Sequence, residues 1–279
     1  MKTGKITAVI MSITVIFLFA LFTLLNINKL IQTPMNSIPL DAGWLGFLIM
    51  FANGFFFSFI LNRNKIGTTE RLMLSIGLGF GLTFAAMILL GLFWQFSLLT
   101  VLLSQIILLI ILITVAVFRG LRADPDIFSW NKKSSTWLTS LNGVHAILLA
   151  IIGILVFIAL YNTLSVPPTD WDSLAYGVNY AKIMYNAGNI PLIAGPSIGI
   201  EMSASYPPGV QLLGVFLFVF AGKANDFYYR MLSPIFSLST LLVTYKFAML
   251  LNKERTFSIY AISALSVIPF FWEVFINET

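Results

Sequence analysis

Residues 98–118, LLTVLLSQIILLIILITVAVF, run for twenty-one positions without one charged side chain. At about 1.5 Å per residue a helix of that length spans about 32 Å, enough to cross the roughly 30 Å hydrocarbon layer of a bilayer. On both sides the pattern repeats. Apolar runs lie at about 6–25, 44–61, 72–93, 143–164, 231–251 and 257–275. The chain is 58% hydrophobic and only 10% charged, which excludes a soluble globular domain. The fold class predicted is all-α: a polytopic protein of the cell membrane with about seven transmembrane helices. The first run is read as a retained anchor, because no small-x-small cleavage site follows it.

Net charge is +5, and its placement matters more than its sum. Lys and Arg collect on the cytoplasmic side of membrane proteins. With the N-terminus cytoplasmic, Lys2 and Lys5 lie inside, as do Arg63, Lys65, Arg71, Arg119, Arg122, Lys132 and Lys133. Topology alone therefore accounts for the basic residues, and no nucleic acid is implied. Residues 209–221 number thirteen, too few to span, and are expected to form an interfacial or re-entrant helix. That reading also puts Lys246, Lys253 and Arg255 inside. It makes 165–230 one continuous extracytoplasmic segment.

This segment carries the polar, acid-bearing stretch 165–208. Pro167 and Pro168 cannot sit in a helix interior, and Thr169-Asp170 directly after them has the chemistry of an N-cap. A helix is predicted to start near Trp171 and to stop at Gly188 and Pro191. Trp171, Leu174, Ala175, Val178, Ala181 and Tyr185 fall on one face; Asp172, Tyr176, Asn179 and, nearby, Lys182 decorate the other. This is the pattern of an amphipathic helix in the membrane interface. Asp170 and Asp172 point about 200° apart on a helix, so they do not form a carboxylate pair.

The hexapeptide from Trp171 to Tyr176, the run 180–191 that follows, and Ser205-Tyr206-Pro207-Pro208 resemble the first extracytoplasmic loop of GT-C glycosyltransferases. The bacterial members similar to protein mannosyltransferases and lipid A aminoarabinose transferases are nearest in pattern. Tyr229-Arg230-Met231-Leu232-Ser233-Pro234 is similar to the Ala-Arg-Leu-Pro-Ser segment that opens the next span in that family. The resemblance covers about 143–279 and implies a GT-C-like core with interfacial helices in its loop, after an added four-span module at 1–142.

The resemblance further implies an inverting hexosyl or pentosyl transfer from a polyprenyl-phosphate-linked donor to a glycan, lipid or protein acceptor on the extracytoplasmic face. Asp172 would be the general base. Asp170, Tyr176, Lys182, Tyr206, Arg230 and Glu278 would bind substrate. A carboxylate within hydrogen-bond reach can take the acceptor's proton. Cations near the departing lipid phosphate stabilise its growing charge. For Lys182 and Arg230 a second reading stands, that of side chains snorkelling to the interface. Tyr206-Pro207-Pro208 would set the N-terminus of the short helix at 209 as an anion site.

Two positions depart from the family pattern. Gly177 stands where many relatives have His after the motif tyrosine. The second acidic motif, which follows the span matching 257–275, would have to be Glu278 or lie on residues beyond it. The chain is therefore expected to be the N-terminal part of a longer transferase, or a remnant of one. The alternative function is a non-catalytic membrane protein of the same ancestry that binds lipid-linked sugar or a partner subunit. A transporter ranks third, because the first four spans have essentially no charges. Some relatives use a divalent ion and others do not, so the cofactor stays open. No metal site is legible.

The remaining signals have structural explanations. There is no cysteine, which excludes disulfides and thiolate chemistry. Gly77, Gly79 and Gly81 lie inside an apolar run and are expected to permit close helix packing rather than to cradle a phosphate. His145 alone cannot build a zinc site. Glu273 falls near the predicted outer surface, where a hydrated carboxylate is ordinary. The polar loop 26–43 shows no recognisable chemistry.

Overall fold

The structure is a computed structural model that describes residues 41–61, 68–118, 143–165, 177–191, 209–252 and 254–266. Among these residues it is helical, with no strand. The helices are α1 (Gly43–Leu61), α2 (Thr68–Phe93), α3 (Leu98–Ala116), α4 (Gly143–Ser165), α5 (Asn179–Ala187), α6 (Gly209–Ala221), α7 (Asp226–Asn252) and α8 (Arg255–Ser266). Four of them, α1, α2, α3 and α7, are long and apolar enough to cross a membrane. The protein is therefore a helical membrane protein. The expected first span at 6–25 and the outer part of the last one lie outside the described residues.

Local chemistry sets the helix boundaries. Ser97 adopts an extended conformation, its hydroxyl accepts from the Thr100 amide at 3.2 Å, and Thr100 Oγ1 accepts from the Ser97 amide at 3.1 Å. This reciprocal cap satisfies two amides at the start of α3 that would otherwise lack partners. Helix α5 stops at Gly188, whose φ of 69° favours glycine, as the sequence predicts. Helix α7 begins at Asp226, five residues before the apolar run, because Asn225 caps it: the Phe227 amide donates to Asn225 Oδ1 at 3.0 Å.

Contacts along the helices fix their directions. Gly54 of α1 lies against the Ser75 carbonyl and Gly79 of α2 against the Met50 carbonyl, so α1 and α2 are antiparallel and nearly touch by their backbones. Phe80 stacks on Phe236 at 5.8 Å, Ser239 Oγ donates to the Met73 carbonyl at 3.4 Å, and Lys246 Nζ lies 3.4 Å from Glu70 Oε1. Helix α7 thus runs antiparallel to α2 and parallel to α1. One end of the bundle carries Asp41, the α2–α3 turn and the start of α7; the other carries Glu70 and Lys246. On the far side of α7, Ile152 of α4 and Ile262 of α8 pack around Leu241, and the His145 ring meets Tyr260 at 6.2 Å. His145 is a buried packing residue.

Helix α6 is neither a span nor a surface helix. All ten residues from Leu212 to Ala221 are buried among the described helices. Its direction follows from α5. The Ala181 methyl would touch a Cβ placed on Gly214, and the Tyr185 ring meets Phe218 at 5.9 Å, so the two helices run side by side in the same direction. Helix α5 itself crosses the Asp41 end, from the first turn of α7 to the α2–α3 turn, where the Phe96 amide donates to the Gly188 carbonyl at 2.5 Å. Thirteen apolar residues are the length of a buried core helix, and α6 fills that role under α5. The cluster around it draws on both halves of the chain, from Leu45, Met50 and Met87 to Met184, Tyr228 and Leu232. Between helices in lipid, close dispersion contact and interhelical hydrogen bonds supply the cohesion.

Candidate functional site

The Asp41 end gathers the charged side chains that the described residues offer near the acid-bearing stretch. Lys182, on the polar side of α5, places Nζ 2.8 Å from Asp226 Oδ1, with each side chain about one-third exposed. Arg230 follows Asp226 by one helical turn, so both occupy the same face of α7. Asp226, the first residue of α7, also complements the positive end of the helix dipole. The result is a partly hydrated patch of two cations around one carboxylate, facing α5.

Tyr229 links the two segments that carry the family resemblance. Its hydroxyl would lie 3.1 Å from a Cβ on Gly177, and its ring edge 2.5 Å from a Cβ on Gly214. Gly177 is where the acid-bearing stretch joins α5. A side chain there would require the Tyr229 phenol to give way. Tyr180 and Tyr185, on the same short helix, are both held above the ordinary tyrosine range because burial disfavours the phenolate. They act there as neutral packing groups.

A second polar group lies across α7. Asp41 Oδ1 accepts from the Tyr228 hydroxyl and from the Gly43 amide at 3.0 Å, and Lys223 Nζ approaches Oδ2 at 3.8 Å. Tyr228 follows Asp226 by two residues, so the two side chains point about 200° apart. Trp44 and Phe227 surround the phenol edge-on at 5.9 and 5.4 Å. This group ties helices together and faces away from the Lys182–Asp226 patch.

Of the residues singled out by sequence, Lys182 and Arg230 are brought near a common acid, Asp226. Asp170, Asp172, Tyr176, Tyr206 and Glu278, like Glu273, lie outside the described residues. Sequence reasoning missed Asp226 and Asp41. The Asn225-Asp226 pair before an apolar run is a readable helix start. Asp41, two residues ahead of α1, belongs to the 26–43 loop, where no recognisable chemistry was expected; its partner Tyr228 is too distant in sequence for any local pattern. No group of three or more His, Asp or Glu side chains able to hold a metal ion occurs among the described residues.

Compared with family models, curated proteins and solved structures, the chain matches none.

Proposed function

We propose that this protein is a membrane glycosyltransferase of the GT-C type, moving a sugar from a polyprenyl-phosphate-linked donor to an acceptor on the extracytoplasmic face. The observation that carries the reading is the Lys182–Asp226 ion pair with Arg230 one helical turn along α7. Lys182 and Arg230 come from the two segments, 180–191 and 229–234, whose sequences resemble the family; Asp226 stands three residues before the second. The reading includes seven spans, with α4 and α8 among them, and a cytoplasmic N-terminus, both supported by the apolar runs and the distribution of Lys and Arg.

In this reaction Asp172 takes the proton of the acceptor hydroxyl or amine as its heteroatom attacks the anomeric carbon. The bond from that carbon to the phosphate oxygen breaks, the electron pair leaves with the lipid phosphate, and the configuration inverts. Lys182 and Arg230 stabilise the charge that grows on the phosphate. Asp226 holds Lys182 in place while no anion is bound. A phosphate dianion competes with Asp226 for both cations, so binding exchanges one charge partner for another rather than leaving a cation bare.

The test is sugar transfer from a synthetic polyprenyl-phosphate donor by the full chain in vesicles. Asp172→Asn is expected to abolish transfer while protein abundance and lipid-phosphate binding stay unchanged; undiminished transfer would sink the base assignment. Arg230→Ala is expected to weaken lipid-phosphate binding. If Arg230→Ala weakens binding but neither the natural chain nor any variant transfers sugar, the non-catalytic binder replaces the enzyme.

A further inference from the structure

Helix α2 and the turn after it give the molecule a scale against the bilayer. From Leu72 to Trp94 there is no charged side chain. Glu70 is paired with Lys246 at 3.4 Å, and Arg71 donates to the Ser58 carbonyl at 2.6 Å while covering the Phe59 ring at 4.3 Å. These charges mark one end. At the other, Phe93 and Trp94 are 72% and 68% exposed. Glu70 and Trp94 are separated by about 36 Å along the helix, which is the roughly 30 Å of hydrocarbon plus a turn.

Several of the turn's main-chain groups are bonded within the chain. The Trp94 amide donates to the Leu90 carbonyl at 2.7 Å, the Phe96 amide to Gly188, and Thr100 Oγ1 to the Gln95 carbonyl at 2.6 Å. What it offers outward is the two aromatic rings, the indole N–H and the exposed Gln95 amide. That chemistry fits the glycerol and headgroup region of a phospholipid layer, where an amphipathic ring has one apolar and one wet side.

We propose that the Phe93–Trp94 turn is a lipid-interface anchor that fixes the headgroup plane at the level of α5. The Phe96–Gly188 hydrogen bond and the Ile190 amide, 3.5 Å from the Gly91 carbonyl, then hold α5 flat in that plane. The N-terminal helices thereby set the depth of the later half of the chain, whatever ligand that half takes.

The chain has no cysteine, so single cysteines report cleanly. Nitroxide labels at Trp94→Cys, with Phe93→Cys as a second variant, and at Ile107→Cys in the middle of α3 are read by oxygen and aqueous nickel accessibility. The protein is the full chain in vesicles of phosphatidylcholine and phosphatidylglycerol. Labels at 93 and 94 are expected at the phosphate-to-glycerol level, with 107 about 14 Å deeper than the start of α3. Three results would overturn the proposal: a label at 94 as water-exposed as one in free solution, one shielded from both relaxants by covering protein, or one as deep as 107.

Discussion

Asp41 and Tyr228, 187 positions apart, share a hydrogen bond in which the phenol donates to the carboxylate, and it joins the first turns of α1 and α7. Tyr228 is fully buried and the Asp41 side chain is nine-tenths buried, so neither has water as an alternative partner. Tyr228→Phe should cost about 1.5–3 kcal/mol, the range for hydrogen bonds to a charged group. Asp41→Ala should cost more, because it also strips the Gly43 amide of its acceptor. Unfolding of the purified protein in mixed micelles measures both. Unchanged stability in Tyr228→Phe would mean that the bond contributes nothing.

Two glycines two residues apart on one helix should behave oppositely at the interface. Gly79 faces the Met50 carbonyl, and only a shift of backbone would make room for a Cβ. Gly81 has open space around it. Gly79→Ala is expected to lose about 1–3 kcal/mol by prising α1 from α2, whereas Gly81→Ala is expected to be neutral or to gain about 0.5–1 kcal/mol from helix propensity. The pair of melting temperatures decides it; equal effects would contradict the close approach of α1 and α2.

Asn53 Nδ2 donates to Gln105 Oε1 at 2.7 Å across the α1–α3 interface, and both side chains are buried. Asn53→Leu leaves the Gln105 amide in an apolar setting and should destabilise by roughly 0.6–1.7 kcal/mol. The double variant Asn53→Leu/Gln105→Leu should recover part of that loss, since removing both amides leaves no buried polar group. A double variant worse than either single change would show that shape, not hydrogen bonding, governs the contact.

Tyr180 and Tyr185 predict a loss of stability in alkali. Burial raises both folded-state values above 10.0, so the folded state keeps two protons that the unfolded chain releases as pH passes about 10. Stability contributed by the neutral phenols is complete below that pH and falls above it. Thermal melts between about pH 9 and 11.5 should decline less steeply in Tyr180→Phe/Tyr185→Phe than in the natural chain. Parallel curves would exclude these two groups as the source.

The Lys182–Asp226 pair separates stability from binding. With both side chains about one-third exposed, water screens the pair, and Lys182→Met should cost no more than about 1 kcal/mol of stability. Its effect on lipid-phosphate affinity should exceed that, because an anion meets the ammonium directly. A large stability loss with unchanged affinity would make Lys182 a structural residue.

Much of the architecture is legible residue by residue. Hydrocarbon imposes a length and a ban on unpaired backbone groups, so a run such as 98–118 can only be a helix, and α1, α2 and α7 announce themselves in the same way. Turn chemistry is equally local: Gly188 ends α5 because glycine tolerates its φ. The length of 209–221 told that α6 does not span, yet not that it is buried on every side, since an apolar helix looks the same whether lipid or protein surrounds it.

The glycines show the same boundary: Gly77, Gly79 and Gly81 share one motif, and packing alone decides that Gly79 meets a neighbouring backbone while the other two face open space. Sequence determined that this is a helical membrane protein and pointed to Lys182 and Arg230 as the cations near its acid-bearing stretch. Tertiary structure decided which acid they meet, that Asp41 belongs with Tyr228, and that α5 lies across the bundle end. Lys182 with Asp226 and Asp41 with Tyr228 join side chains far apart in sequence, and only the packing of whole helices brings them together.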